Sequence, residues 1–172
     1  MKTQLWEGGI RVPMFVRLPG IVRPNSTTDA VSSALDFMPT VCELAGVEIP
    51  NREALDEGIS LVPVLSGDAA PRKRTLFWEF HGQQRGGPPS GSLVIRDGDW
   101  KLHVYVDTAK RRLYNLRDDA GEQNDVFSEH PDVARRLDAM VLGWYAELPR
   151  QADPFQRTPT PETEAVANRI AG

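Results

Sequence analysis

The stretch SLVIRDGDWKLHVYV, residues 92–106, decides the fold. It reads as two strands joined around Asp97-Gly98, a dipeptide that strongly favours a tight hairpin. Upstream, RTLFWEF at 74–80 is dense in aromatic residues, as strands often are. Downstream, RRLYNL at 111–116 makes a further strand. These runs predict a small antiparallel sheet of three or four strands. Between the first two lies GQQRGGPPSG at 82–91, which the glycines and prolines mark as a loop. Past the sheet, Pro131 and Asp132 open a helix in which Val133, Leu137, Met140, Val141, Trp144 and Leu148 recur at helical spacing. That stripe is wide enough to lie across one face of the sheet. The fold class is therefore α+β, with a helix packed on a small antiparallel sheet.

Before the sheet the pattern is less regular. IRVPMFVRL at 10–18 predicts a strand interrupted by Pro13, hence an edge or a strand entry. LPG at 18–20 and RPNS at 23–26 are turn chemistry, and Ala30 to Leu35 reads as a short extended piece. DFMPTVCELAGV then predicts a short buried helix, with Asp36 as N-cap, Pro39 in the first turn and Gly46 as C-terminal cap. Phe37, Val41 and Leu44 share one face of it, and Cys42 reads as a small buried thiol. Asp36 has a second reading as a metal carboxylate; the cap is the better one. PNREALDEG at 50–58 is a polar loop, and GISLVPVLSG ties a loop to the core. Arg72-Lys73-Arg74 reads as a solvated surface turn. The tail from 150 to 172 is rich in proline and is expected to be extended or partly disordered, with a frayed helix near its end.

The composition narrows the function classes. Hydrophobic residues make up 40% and charged residues 26%, as in an ordinary globular protein. The formal net charge of −4 argues against a nucleic-acid partner. No apolar run approaches the roughly 20 residues of a membrane span. The first ten residues carry two glycines and a glutamate rather than the apolar core of a secretory leader. The single cysteine, Cys42, excludes an internal disulfide and any CxxC zinc pattern. The three histidines, His81, His103 and His130, fall in no nucleophile or metal motif. His103 reads as a sheet-surface residue, and His130 precedes a helix start. His81 ends an aromatic strand and opens a glycine-rich loop, so it is the one expected to line a pocket. Asp118 and Asp119 sit in the turn DDAGEQND and read as solvated. Taken alone, the chain presents no complete catalytic set.

The order of motifs carries more. KTQLWEGGIRVP, LDFMPTVCELAGV, GISLVPVLSG, LFWEF, VIRDGDWKL and RRLYNLRDDAGEQNDV follow one another as in the type I sulfatases, and the chain resembles the C-terminal portion of that arylsulfatase family over residues 2–148. The string Lys-x-x-x-aromatic-Glu-Gly-Gly-x-Arg-x-Pro is the most specific piece. The resemblance implies three parts: residues 1–70 as the last part of an α/β catalytic domain, 71–149 as the sheet-and-helix subdomain, and 150–172 as a tail.

For the full-length family the resemblance implies sulfate-ester hydrolysis by a formylglycine nucleophile and a divalent cation, usually calcium. Cationic side chains hold the sulfate, because developing negative charge calls for fixed positive groups. Lys2 matches the family lysine that contacts the sulfate and assists the leaving oxygen. Gly8 and Gly9 would let the backbone turn close to the site. His81 is expected at the substrate mouth. Cys42 stands in TVCELAG rather than in a Cys-x-Pro-x-Arg signature, and the metal-binding aspartates have no counterpart in this sequence. The expectation is that the nucleophile and metal ligands lie in a catalytic part absent from this chain, that the chain alone is inactive, and that its partners are that part, a sulfate-ester substrate only in the complete enzyme, and a second copy where an apolar face is exposed. Two alternatives stay open: a portion of a related phosphoester or phosphonate hydrolase, and a free-standing non-catalytic module that self-associates through an exposed apolar face. The compartment is left open, the family being often periplasmic, secreted or lysosomal.

Overall fold

The computed structural model describes residues 4–49, 58–70, 73–83, 89–106 and 108–148. The expectations for the tail from 149 onward and for the polar loop at 50–57 lie outside them. Two compact units divide the chain: one unites the N-terminal stretch to Val12 with everything from Thr75 onward, and the other is Pro13–Arg74.

The first unit is built on the expected sheet, and it has four strands. β1 (Thr75–Gln83), β2 (Pro89–Asp97), β3 (Trp100–Tyr105) and β4 (Lys110–Asn115) lie in sequence order. Every neighbouring pair is antiparallel. Asp97 pairs with Trp100, so the β2–β3 loop is Gly98-Asp99, one residue later than the Asp97-Gly98 reading. Gly98 takes φ +61°, a left-handed conformation that glycine adopts without a Cβ clash. β1 and β2 run further than the sequence implied: residues 82, 83 and 89–91 belong to the ladder, not to a loop.

Register sorts the side chains onto two faces. Phe77, Ile95, Leu102 and Leu113 stand in one cross-strand row, joined by Leu93 and Val104. Helix α4 (Pro131–Glu147) covers this face with Ala134, Leu137 and Val141, and the eight buried residues form one apolar cluster. Trp144 stacks on Phe77 with ring centroids 5.1 Å apart. Pro131 occupies the first turn of α4, where its missing N–H costs nothing. Burial of these side chains is the main force holding the unit together.

The second unit contains a 3-10 turn (Ala34–Asp36), α2 (Phe37–Ala45) and the short α3 (Val62–Leu65). Gly46 ends α2 at φ +65°, as its position predicted. Other details differ from the sequence reading. Residues 11–18 form no strand; among the described residues no ladder partner meets them, and Pro13 withholds a donor. Residues 30–33 form no regular element, and the 3-10 turn takes up the end of that stretch. α2 does not bury the face carrying Phe37, Val41 and Leu44. Its buried residues are Pro39 and Thr40, and Phe37 is 56% exposed. Cys42 is half-buried, its Sγ 3.9 Å from Met38 Sδ.

Asp36 is a pin rather than a simple N-cap. Its side chain makes no cap bond to α2. It accepts instead from the backbone of Ser33 (2.7 Å) and Ile59 (3.0 Å), and it pairs with Arg74. Ser33 and Asp36 form a reciprocal capping box on the 3-10 turn. Arg74 is consequently half-buried in an ion pair with Asp36, where the sequence reading had it solvated. Thr40 adds a second pin: its hydroxyl donates to Asp36 O (2.6 Å) and accepts from Leu61 N (2.9 Å).

Candidate functional site

The Trp6-Glu7-Gly8-Gly9 segment opens the described part of the first unit. Glu7–Ile10 closes a single helical turn, α1, in which Gly9 and Ile10 donate to Trp6 O (2.7 and 3.1 Å) and Arg11 donates to Glu7 O (2.9 Å). Gly8 and Gly9 lie inside that turn, and neither takes a positive φ. The turn belongs with the sheet face opposite α4.

On that face, period-two alternation brings Lys101, His103 and Tyr114 together, with Lys101 opposite Tyr114 across the β3–β4 ladder. All three are buried, and Lys101 is 0% exposed. Lys101 Nζ lies 2.9 Å from Glu7 Oε1 and 3.0 Å from Glu122 Oε1. His103 Nε2 lies 2.9 Å from the same Glu122 oxygen. The Glu7 backbone N–H donates to Glu122 Oε2 at 2.5 Å. Trp6 stacks on His103 with ring centroids 4.4 Å apart and meets the edge of Tyr114 at 5.6 Å. Glu7 Oε2 is buried with no hydrogen bond, and Arg96 stands 3.9 Å from it.

The electrostatics follow from burial and pairing. Burial pushes His103 below its ordinary value and outweighs the pull of its bond to Glu122, so it is neutral near pH 7. A neutral imidazole facing a carboxylate carries its proton on Nε2 and donates it. Burial alone would raise Glu122; the hydrogen bonds from His103 and the Glu7 amide, with the Lys101 charge, hold it below the usual carboxylate range instead. Glu122 also takes φ +53°, a left-handed backbone unusual for a side-chain-bearing residue.

Beside this cluster lies an open cavity of about 810 Å³, lined by Trp6, Gly8, Lys110, Arg112 and Tyr114 together with the 120–125 turn. Its lining carries both signs of charge, Lys110 and Arg112 together with Glu122 and Asp125. Asp119 organises that turn by accepting from the backbones of Gln123 and Asn124, both at 2.8 Å.

The residues singled out from the sequence are placed as follows. Lys2 lies outside the described residues. His81 falls within β1, its backbone opposite Gly91, with the strand continuing to Gln83. His103 is a buried partner of Glu122, not a sheet-surface residue; the α1 turn and the 120–125 turn cover it. His130 packs on Trp100 at the start of α4 (ring centroids 4.8 Å apart). Lys101 and Glu122 escaped sequence reading. Alternation in WKLHVY sets Lys101 and His103 on one face, but their cover comes from positions as much as 94 residues away.

The calcium that the resemblance implies finds no donor set in what is described. Among the described residues, no group of three or more His, Cys, Asp or Glu side chains could hold a metal ion. The two buried carboxylates of the cluster are already bonded to Lys101 and His103, so they do not fit a hard cation. No described helix is long and apolar enough to cross a membrane.

The family model for the C-terminal region of N-sulphoglucosamine sulphohydrolase matches residues 1–142. The chain belongs to that sulfatase family. A protein named sulfatase, from Formosa agariphila, is 31% identical over 187 residues; the match covers 98% of this chain and 34% of the relative. Among solved structures, one in complex with its substrate D-glucosamine-2-N,6-O-disulfate superposes with a TM-score of 0.63 at 26% identity, over 83% of this chain and 29% of that one. A phosphonate monoester hydrolase from Silicibacter pomeroyi gives 0.57 at 26% identity, over 76% and 28%. This sulfatase-family chain thus spans about a third or less of the relatives it matches. Its sheet and closing helix are the family's C-terminal α+β subdomain.

Proposed function

We propose that this sequence serves as the C-terminal part of an enzyme that hydrolyses sulfate esters. In that enzyme the nucleophile, a formylglycine, and a divalent cation are supplied by residues other than those described above. A formylglycine would supply the attacking hydroxyl and a cation would offset charge on the sulfate; this chain contributes support and a cationic contact. Lys2 contacts the sulfate and assists the leaving oxygen, and His81 stands at the substrate mouth. Residues 1–70 continue the catalytic domain, 71–149 buttress it, and 150–172 form a tail.

The observation that carries the reading is the anchoring of Glu7. The described part of the family string, residues 4–12, is tied into the sheet through Glu7, Lys101 and Glu122, so the sheet supports the chain that follows the family lysine in sequence. The purified chain, incubated with calcium and an aryl sulfate, is expected to release no sulfate. Turnover by sequence-verified material would overturn this. In a complete sulfatase carrying this sequence, Lys2→Ala is expected to lower kcat by about a hundredfold or more, the scale of a lost transition-state contact. An unchanged kcat removes the lysine from the site. Aryl phosphonate assayed in parallel separates a sulfatase from the phosphonate hydrolases with which the chain shares its fold.

A second reading is favoured by one observation, the apolar surface of the Pro13–Arg74 unit. Phe15 is 92% exposed, Val41 and Val47 are each 58% exposed, and Phe37 is 56% exposed. Standing alone, such a chain self-associates through this face with a second copy. Light scattering decides: a monomer at high concentration counts against the module reading.

A further inference from the structure

We propose that Lys101 and Glu122 are positioning residues for the active-site lysine, acting through Glu7. They hold the Trp6–Ile10 turn against the sheet and so fix the point from which the chain leads back to Lys2, five positions before Glu7. The proposal rests on the reading of Lys2 given above.

Glu7 is gripped twice. Lys101 holds its carboxylate, and Glu122 accepts from its backbone N–H. A side-chain bond alone would leave the backbone free to pivot, whereas two bonds at different atoms fix both its position and its rotation. Trp6 adds a third restraint by stacking on His103, which is itself bonded to Glu122. All three restraints converge on two consecutive residues.

The arrangement is an expensive way to hold a turn. Two carboxylates are buried around one lysine, and one Glu7 oxygen has no hydrogen bond. Buried ion pairs are often matched or bettered by apolar residues of similar volume, so stability alone does not explain the cluster. Glu122 is held in a left-handed conformation besides. Strain of that kind persists where the surroundings over-determine it, and it gathers where geometry matters for function. What an ion cluster provides and an apolar contact does not is direction. A misplacement of about 1 Å at a catalytic group costs roughly a hundredfold in rate, so a rigid exit for the lysine segment has a use.

Two measurements test the proposal separately. Hydrogen exchange of the chain by NMR reads the clamp. The Glu7 amide is expected to be protected in the native chain. Glu122→Gln or Glu7→Gln is expected to raise its exchange by about tenfold or more, with Leu93 and Leu102 unchanged. Unchanged exchange at Glu7 overturns the clamp. Should Glu122→Gln expose the sheet amides as well, Glu7→Gln decides by the same readout, since it leaves Lys101 and Glu122 paired. Steady-state kinetics of a complete sulfatase carrying this sequence then reads the positioning. Glu7→Gln is expected to lower kcat by about tenfold with KM within about twofold, because the loss falls on the transition state. A rise in KM alone, or an unchanged kcat despite a loosened Glu7 amide, overturns the positioning role. Failure of the Lys2 reading itself shows elsewhere, as an unchanged kcat in Lys2→Ala, while the exchange data still decide the clamp.

Discussion

The two units bury their apolar side chains to very different extents. In the sheet unit Leu93, Ile95, Leu102, Leu113 and Leu137 are all 0–1% exposed. In the Pro13–Arg74 unit Leu61 is the one large apolar side chain among the described residues that reaches burial, and eleven others stay exposed. The first unit is held by a hydrophobic core, with one ionic cluster on its other face. The second is held by polar pins at Asp36 and Thr40, which tie the 3-10 turn, α2 and the 59–61 segment together. A unit organised by polar pins can keep its shape while its apolar side chains stay available for a partner.

That contrast can be broken or sharpened by substitution. The largest effect is expected from Lys101→Met, which leaves two buried carboxylates without their lysine. It should lower stability by about 3–5 kcal/mol in urea unfolding. Leu102→Ala or Leu137→Ala opens a cavity in the apolar cluster and should cost about 2–5 kcal/mol. A loss below about 1 kcal/mol from either would mean that the sheet core carries less of the stability than its burial implies. Asp36→Ala withdraws the acceptor from two backbone amides and the partner from Arg74. It should cost about 2–4 kcal/mol and loosen amides at Ser33 and Ile59 while Leu102 stays protected. Simultaneous loss at Leu102 would show that the two units unfold together.

Acid gives a smaller effect with a definite sign. The folded state holds His103 below its ordinary value, so the unfolded chain binds more protons. The contribution of His103 is therefore fully present above about pH 6.5 and is lost as pH falls below it. Glu122, also held low, adds a second loss below about pH 4.5. The melting temperature should fall on acidification through this range, and His103→Gln should flatten the upper part of the fall. A melting temperature independent of pH between 7 and 5 would count against a neutral buried His103. The smallest effect belongs to the exposed face: Phe37→Ser or Val41→Ser should change monomer stability by no more than about 0.5 kcal/mol. If either removes self-association seen by light scattering, the face is the contact surface.

Much of the sheet unit was legible in the sequence because its signals are local. Alternation in LVIRDGDWKLHVYV, the Gly98 turn and the α4 stripe each arise within a few residues, and all reappear in the ladder and helix. A turn at Gly8-Gly9 was legible, but its docking through Glu7 and the burial of Lys101 and His103 were not, because these depend on contacts between segments about a hundred residues apart. For α2 the periodicity identified the helix and its glycine stop correctly but implied a buried face at Phe37, Val41 and Leu44. An apolar stripe records only that a surface suits burial, and the cover has to come from somewhere else.

The sequence by itself determined the α+β class, the small antiparallel sheet, the closing helix and, through its ordered motifs, the sulfatase family. These rest on local propensity and on patterns that a linear string displays. Only the tertiary structure decided that Glu7, Lys101, His103 and Glu122 form one buried cluster, and that Asp36 pins three separate backbone and side-chain groups. A charged residue reveals nothing locally about being buried, because the desolvation it suffers and the partner that offsets it are supplied by parts of the chain brought close only by folding.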